Sequence, residues 1–252
     1  KLQTYMIINK VYHLADLHIR NLQRHKEYRL IFKKFLKQVK EDKIEDSVIY
    51  LAGDIAHAKT EMSPELIQEI SWFLTECAKL RETILITGNH DCNLNNSHRL
   101  DVLTPIIKNL DNPRIHYLRD TGVYPIHNLT FVVYSILDNK DNWPKGKDVE
   151  GENTICLFHG PVNKAQTDIG YTVSSNSFQV DMFDGFDMAM LGDIHKRQTF
   201  GEGYEHIAYA GSMVQQNHGE LLENHGYLLW DIPTRTFTEH HLHNDYGFLT
   251  VD

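Results

Sequence analysis

Five short stretches of this chain place carboxylate, imidazole or amide side chains directly after an apolar run: Ala15-Asp16-Leu17-His18, Gly53-Asp54-Ile55-Ala56-His57, Gly88-Asn89-His90-Asp91, Phe158-His159-Gly160 and Gly192-Asp193-Ile194-His195. These side chains suit first-row divalent cations, because an ionised Asp can bridge two ions through its two oxygens and a neutral imidazole can complete each shell. Asp16 and His18 are two residues apart, a spacing that puts both side chains on one side of an extended strand end. One Asp-x-His is usually just a loop. Five such elements, each expected where a strand runs into a turn, are hard to explain as loop chemistry, since strand ends are where ligands from distant segments converge.

Each element needs a strand to deliver it. Residues 11–15 read as a buried strand, and residues 22–43 as a helix whose Tyr28, Ile31, Phe32, Phe35 and Val39 recur at the helical period. The other face of that helix carries Lys26, Arg29, Lys33, Lys37 and Lys40, either a solvated face or a track for a phosphate backbone. An apolar strand over 47–52 leads to Asp54, and a second helix opens at Ser63-Pro64-Glu65, where Ser can cap and Pro fits the first turn. A strand over 83–87 leads to Asn89, and a third helix over about 97–109 contains Pro105, expected to kink it. Strand and helix thus alternate three times, the order of parallel strands joined by right-handed crossovers.

After Pro113 short strands are expected at 115–118, 123–126 and 129–136, then a polar loop over 138–153. Strands over 154–158 and 188–191 end at ligand residues, and 207–210, 226–231 and 235–242 read as a closing meander. The fold class this order implies is an α/β sandwich, two mixed β-sheets flanked by helices, in one domain covering 1–252.

A hydrophobic content of 41% is ample for such a core. Cys77, Cys92 and Cys156 are widely spaced and odd in number, which argues against a disulfide framework and suits a reducing, intracellular compartment. No apolar run approaches the roughly 20 residues of a membrane span, and Lys1-Leu2-Gln3-Thr4-Tyr5 lacks the order of a signal peptide, so a soluble protein without a membrane partner is expected. The formal charge of −9 is unlike that of a dedicated nucleic-acid binder. Divalent ions bound at the site would reverse that sign locally.

The chain resembles the calcineurin-like metallophosphoesterases, whose motifs run Asp-x-His, Gly-Asp-x-x, Gly-Asn-His-Asp, a His, and Gly-His-x-His, and the resemblance covers nearly the whole sequence. Within that superfamily it looks most like the SbcD-type nuclease subunit of the DNA-repair exonuclease SbcCD. The residues that favour this branch are His57, the Ile194-His195-Lys196-Arg197-Gln198 context, and Ala208-Tyr209-Ala210-Gly211-Ser212 followed by Gly219-Glu220. The resemblance implies two divalent ions, manganese or magnesium, with Asp16, His18 and His195 on one, Asp54 bridging, and Asn89 and His159 on the second. It also implies that His90 assists the leaving oxygen or stabilises the transition state, that His57 helps place the scissile phosphate, and that Asp91 orients His90.

Asp193 departs from the pattern, standing where the family has a His. A carboxylate there either joins the second ion, favouring hard cations such as manganese or magnesium, or points away and leaves that site weaker. Ligation is the expectation. His218, in the loop Gln215-Gln216-Asn217-His218, is read as a surface residue, and most other histidines as strand or surface residues without catalytic duty.

The activity the resemblance implies is in-line hydrolysis of a phosphodiester, the ions lowering the pKa of the attacking water and offsetting charge on the phosphoryl oxygens. The partners it implies are DNA, an SMC-like ATPase subunit of the SbcC type, and a second copy in a homodimer. A full capping domain does not fit after Ser212, so the chain is expected to be truncated or a minimal, virus-encoded version. The competing reading is a phosphatase or cyclic-nucleotide phosphodiesterase acting on a small substrate.

Overall fold

The computed structural model describes residues 5–174 and 178–248; the first four residues, read above for a leader, lie outside them. Two mixed six-stranded β-sheets are flanked by helices in an α/β sandwich. In the first sheet β1 (Lys10–Leu14), β2 (Ser47–Leu51), β3 (Glu82–Leu85) and β4 (Ile115–Tyr117) are parallel, and with β11 (Gly226–Asp231) and β12 (Thr236–His241) the order is β12-β11-β1-β2-β3-β4. The second has the order β5-β6-β7-β8-β10-β9, built from β5 (Gly122–Ile126), β6 (Leu129–Tyr134), β7 (Thr154–His159), β8 (Met188–Gly192), β9 (Gln198–Thr199) and β10 (Ile207–Tyr209). In it β6, β7, β8 and β10 are parallel.

The central strands β1, β2 and β3 are buried on both faces, which is why they read as largely apolar runs. Alternate residues divide between two cores. Val11, Val48, Tyr50 and Ile84 point inward to a core shared with Phe131, Val133, Leu157 and Met190 of the second sheet. Tyr12, Leu14, Ile49 and Leu51 point outward, under α1 (His25–Asp42), α2 (Pro64–Leu80) and α3 (Leu103–Leu110). The buried face of α1 is the expected one, with Phe32 stacked on Phe73 of α2 at 4.0 Å between ring centroids. Ser63 caps α2, accepting from the Leu66 N–H at 3.2 Å, with Pro64 in the first position. A third core, on the outer face of the second sheet, is closed by Trp143, Phe178 and Phe183, from loops and a short 3-10 turn, rather than by long helices.

Several expectations are corrected. The first helix begins at His25, not at residue 22, because Leu22 and Arg24 hold left-handed backbone (φ 55° and 59°). The third begins at Leu103, not at 97: the Asp101 carboxylate accepts from the N–H groups of Leu103 and Thr104 (3.0 and 2.7 Å) and so sets the start. Pro105 therefore falls in the first turn, where no intrahelical donor is needed, and has nothing to kink. The closing segments are not one meander. β10 joins the second sheet beside β8, whereas β11 (Gly226–Asp231) and β12 (Thr236–His241) form a hairpin that extends the first sheet antiparallel to β1.

The basic stripe lies on the outer layer, on a helix that runs from the site end of the first sheet back to where β2 begins. Arg29 is taken up by Glu69 and by the face of Trp72, 3.6 Å from its centroid. Cys77, Cys92 and Cys156 are free and buried. Among the described residues no helix is long and apolar enough to cross a membrane.

Candidate metal centre

All five stretches that carry candidate ligands lie at the C-terminal ends of parallel strands. β1 delivers Asp16 and His18, β2 delivers Asp54 and His57, and β3 delivers Asn89, His90 and Asp91. From the facing sheet β7 ends at His159, and β8 delivers Asp193 and His195. This is the edge at which open α/β sheets bind ligands. The segments after β1 and β2 stay paired beyond the strands, through His18 N–H to Asp54 O and Ile19 N–H to Ile55 O, each 2.9 Å, and His57 N–H to Ile19 O at 3.0 Å. Asp16, His18, Asp54 and Asp193 all hold positive φ, between 45° and 99°. Non-glycine residues adopt that conformation at a cost that tertiary structure must cover, and such residues gather at functional sites. Gly88 is required by close approach: a Cβ there would collide with the Asp54 carboxylate and backbone.

Among the described residues, three groups of side chains bring a candidate ligand atom from each member within 4.8 Å of the others: Asp16, His18 and His195; Asp16, Asp54 and His159; and His18, His57 and His90. One oxygen joins the two sides of the site. Asp54 Oδ2 lies 3.4 Å from His18 Nε2 and 3.3 Å from His159 Nε2. His195 Nε2 is 3.0 Å from His18 Nε2, and Asn89 Oδ1 is 2.9 Å from His159 Nε2. Asp193 does not turn away: its Oδ1 is 3.7 Å from His159 Nε2, and its N–H donates to both oxygens of Asp16 at 3.0 and 3.2 Å.

The tautomers show why a cation fits. His159 donates its Nδ1 hydrogen to Ala52 O at 2.7 Å, and His195 donates its own to Glu220 Oε1 at 2.7 Å. In the neutral ring each Nε2 then carries a lone pair. The His159 lone pair faces oxygens of Asp54, Asn89 and Asp193, a set of acceptors with no donor among them. Such a cluster is stable only around positive charge. Without an ion the same acceptors draw protons onto the rings instead. Burial lowers the His159 pKa, yet Asp54 beside it outweighs this and holds it well above the usual imidazole value. Burial also opposes charge on His195, but Glu220 brings it up to about 9. Burial pushes Asp16 up to about 7, while His159 holds Asp54 below the ordinary carboxylate range against its own burial. His18, desolvated, is kept well below its ordinary value and hence neutral, the form that ligates.

His57 and His90 stack with ring centroids 5.6 Å apart, and His90 meets the His18 ring edge-on at 4.7 Å. The expected partner of His90 is corrected: its Nδ1 lies 2.6 Å from His57 O, not against Asp91. Asp91 is fully buried and instead accepts from the N–H groups of Ile55 (3.3 Å), Ala56 and Gly88 (both 2.9 Å), tying the loop after β2 to the loop after β3. Two residues were not assigned roles from sequence. Glu220 fixes His195, and the buried Gln216 amide donates to the Asp16 and Leu17 carbonyls at 3.4 and 3.3 Å. Gly219-Glu220 was visible as context, but nothing in its spacing marks the carboxylate as a partner of His195. His218 is exposed and packs against Phe248, outside the cluster.

A family model described as calcineurin-like phosphoesterase matches residues 9–197. The chain is 42% identical over 255 residues to "Uncharacterized protein R555" of Acanthamoeba polyphaga mimivirus, covering 97% of this chain and 19% of that protein. It is 26% identical over 216 residues to "Putative phosphoesterase 244L" of Invertebrate iridescent virus 6, covering 79% of this chain and 69% of that one. The chain thus spans about a fifth of the length of the mimivirus protein. It belongs to the calcineurin-like phosphoesterases, hydrolases that act on phosphoesters with divalent metal ions.

Proposed function

We propose that this calcineurin-like phosphoesterase is a metal-dependent phosphodiesterase acting on DNA, a nuclease of the SbcD type encoded by a virus. The observation that carries this reading is a pair of clefts that meet at Asp193. One, of about 430 Å³, opens at the Asn89 and His159 end; the other, of about 320 Å³, opens at the His195 and Lys196 end. A phosphomonoester extends from phosphorus on one side only, whereas a phosphodiester extends on both and fills both clefts. The viral source of both relatives supports the setting, and the family resemblance brings with it an SMC-like ATPase and a homodimer as partners.

In this reading Asp16, His18, Asp54 and His195 would hold one ion, and Asp54, Asn89, His159 and Asp193 would hold the other. When bound, two divalent ions lower the pKa of the attacking water and offset charge on the phosphoryl oxygens. Oxygen donors are in the majority, which favours manganese or magnesium over zinc. His90 would act as an imidazolium, its Nδ1–H held by His57 O and its Nε2–H passing to the leaving oxygen, which leaves the ring neutral. His57, stacked beside it, positions the scissile phosphate.

The test is hydrolysis by the purified chain in Mn2+ of labelled DNA, bis-p-nitrophenyl phosphate and p-nitrophenyl phosphate. Cleavage of DNA and of the diester in preference to the monoester is expected. Turnover of the monoester alone would identify a small-substrate phosphatase instead.

A further inference from the structure

Beside the ligands Asn89, His159 and Asp193 the larger cleft changes character. Its inner end is polar, and its remaining wall is built from Leu94, Ile136, Trp143, Pro161 and Phe178, with Asp138 and Lys140 also lining it. A phosphate held by the ligand cluster offers nothing that would require an apolar wall of this size. The substituent on phosphorus does.

The wall is also held in place before any ligand arrives. Trp143 stacks on Tyr134 at 4.7 Å between centroids and only 11° from parallel, lies 5.9 Å from Phe178, and meets Phe158 edge-on at 5.5 Å. Its indole N–H donates to Ser135 O at 3.3 Å, and Tyr134 in turn donates to Pro144 O at 2.6 Å. These bonds fix the loop after β6 against the sheet. Asp138 is likewise fixed, accepting from the Asn139 N–H and the Asn142 amide, each at 2.8 Å. A preordered aromatic surface lowers the entropy lost on binding a flat group, and base-to-aromatic contact is the general way proteins hold unpaired bases without reading their sequence.

The geometry points to this cleft as a nucleobase subsite: the base of a nucleotide flanking the scissile phosphate, unstacked from its strand, lies against Ile136 and the exposed part of Trp143, which the buried Tyr134 backs. Lys140 then stands where it can meet the next phosphate of the strand. The volume, about 430 Å³, is in the range of small-molecule sites and leaves room for a base and its sugar. The substrate class is accordingly DNA with an unpaired or frayed nucleotide at the site, and the inference rests on the phosphodiesterase reading above.

The experiment is calorimetric titration of the protein in Mn2+ with deoxyadenosine monophosphate (the tighter of the 5′ and 3′ isomers), 2-deoxyribose 5-phosphate, phenyl phosphate and inorganic phosphate. The nucleotide is expected to bind at least about fivefold tighter than the sugar phosphate, the lower end of the range for one base on an aromatic surface. In Ile136→Ala and Trp143→Leu that ratio should fall toward one while the affinity for inorganic phosphate stays. Because Trp143 also packs the loop, unchanged phosphate affinity marks an intact metal site, and Ile136→Ala carries the test if Trp143→Leu loses it. Equal binding of nucleotide and sugar phosphate, a ratio unmoved in both variants, or phenyl phosphate binding as tightly as the nucleotide would each overturn the subsite. The two proposals can fail apart: base-dependent binding without DNA cleavage keeps the subsite and discards the nuclease, and cleavage without base-dependent binding does the reverse.

Discussion

Glu220 accepts the Nδ1 hydrogen of His195 at 2.7 Å, and the same carboxylate is held by the Gln216 N–H at 2.8 Å and the Asn217 amide at 2.9 Å. A carboxylate behind a ligating imidazole fixes its tautomer and raises its basicity, and losing such a partner typically costs about 10–100-fold in metal affinity. Glu220→Ala should weaken one of two Mn2+ affinities by that factor, measured by equilibrium dialysis, and leave the other near its original value. Two unchanged affinities would show that His195 is not a ligand.

Asp91 makes a different prediction from the one its place beside His90 suggests. It accepts three backbone N–H groups from two loops, so Asp91→Ala leaves buried donors unsatisfied. Each costs about 1–3 kcal/mol, and a fall of several kcal/mol in unfolding free energy, with poorer metal retention, is expected in denaturant titrations. A variant as stable as the parent, with only turnover reduced, would return Asp91 to the role of orienting His90.

That pair also shows what the sequence could convey. Parallel strands, the Asp, Asn and His side chains gathered at their ends and the buried face of α1 were legible because apolar periodicity and Asp/His spacing are local. The partner of His90 was not, because it is a backbone carbonyl, that of His57, and carbonyls have no sequence identity. The destination of β10 was equally hidden. Its apolar Ile207, Ala208 and Tyr209 suit either sheet, and only the parallel pairing with β8 decides between them. Glu220 was missed for the same reason, since its contact with His195 bridges 25 residues.

His90 separates binding from chemistry. It belongs to neither group that contains Asp16, so His90→Ala should retain both ions by elemental analysis while turnover falls by about 10²–10⁴, the usual scale of general acid–base assistance. Release of metal would place His90 among the ligands instead.

His13 makes one contribution to acid stability. It is fully buried, donates Nε2–H to Leu191 O at 3.1 Å and accepts from the Trp230 indole at 3.3 Å, and burial lowers its pKa to about 3. The folded state therefore resists a proton that the unfolded chain takes up below its ordinary value of 6.5. This contribution to stability is complete above that value and is lost as pH falls from 6.5 toward about 3, at about 1.4 kcal/mol per pH unit. Urea titrations in EDTA at about pH 7.5 and pH 5.5 should show His13→Gln losing less stability between the two than the parent, by about 1 kcal/mol. Equal losses would mean that His13 takes up its proton while folded.

Anomalous scattering from crystals grown with Mn2+ tests the two-metal centre most directly. Two ions about 3.5–4 Å apart are expected, with Asp54 touching both and Asp193 on the ion held by Asn89 and His159, and Asp54→Ala should empty both positions. A single ion, or a second ion with the Asp193 carboxylate turned away from it, would contradict the account.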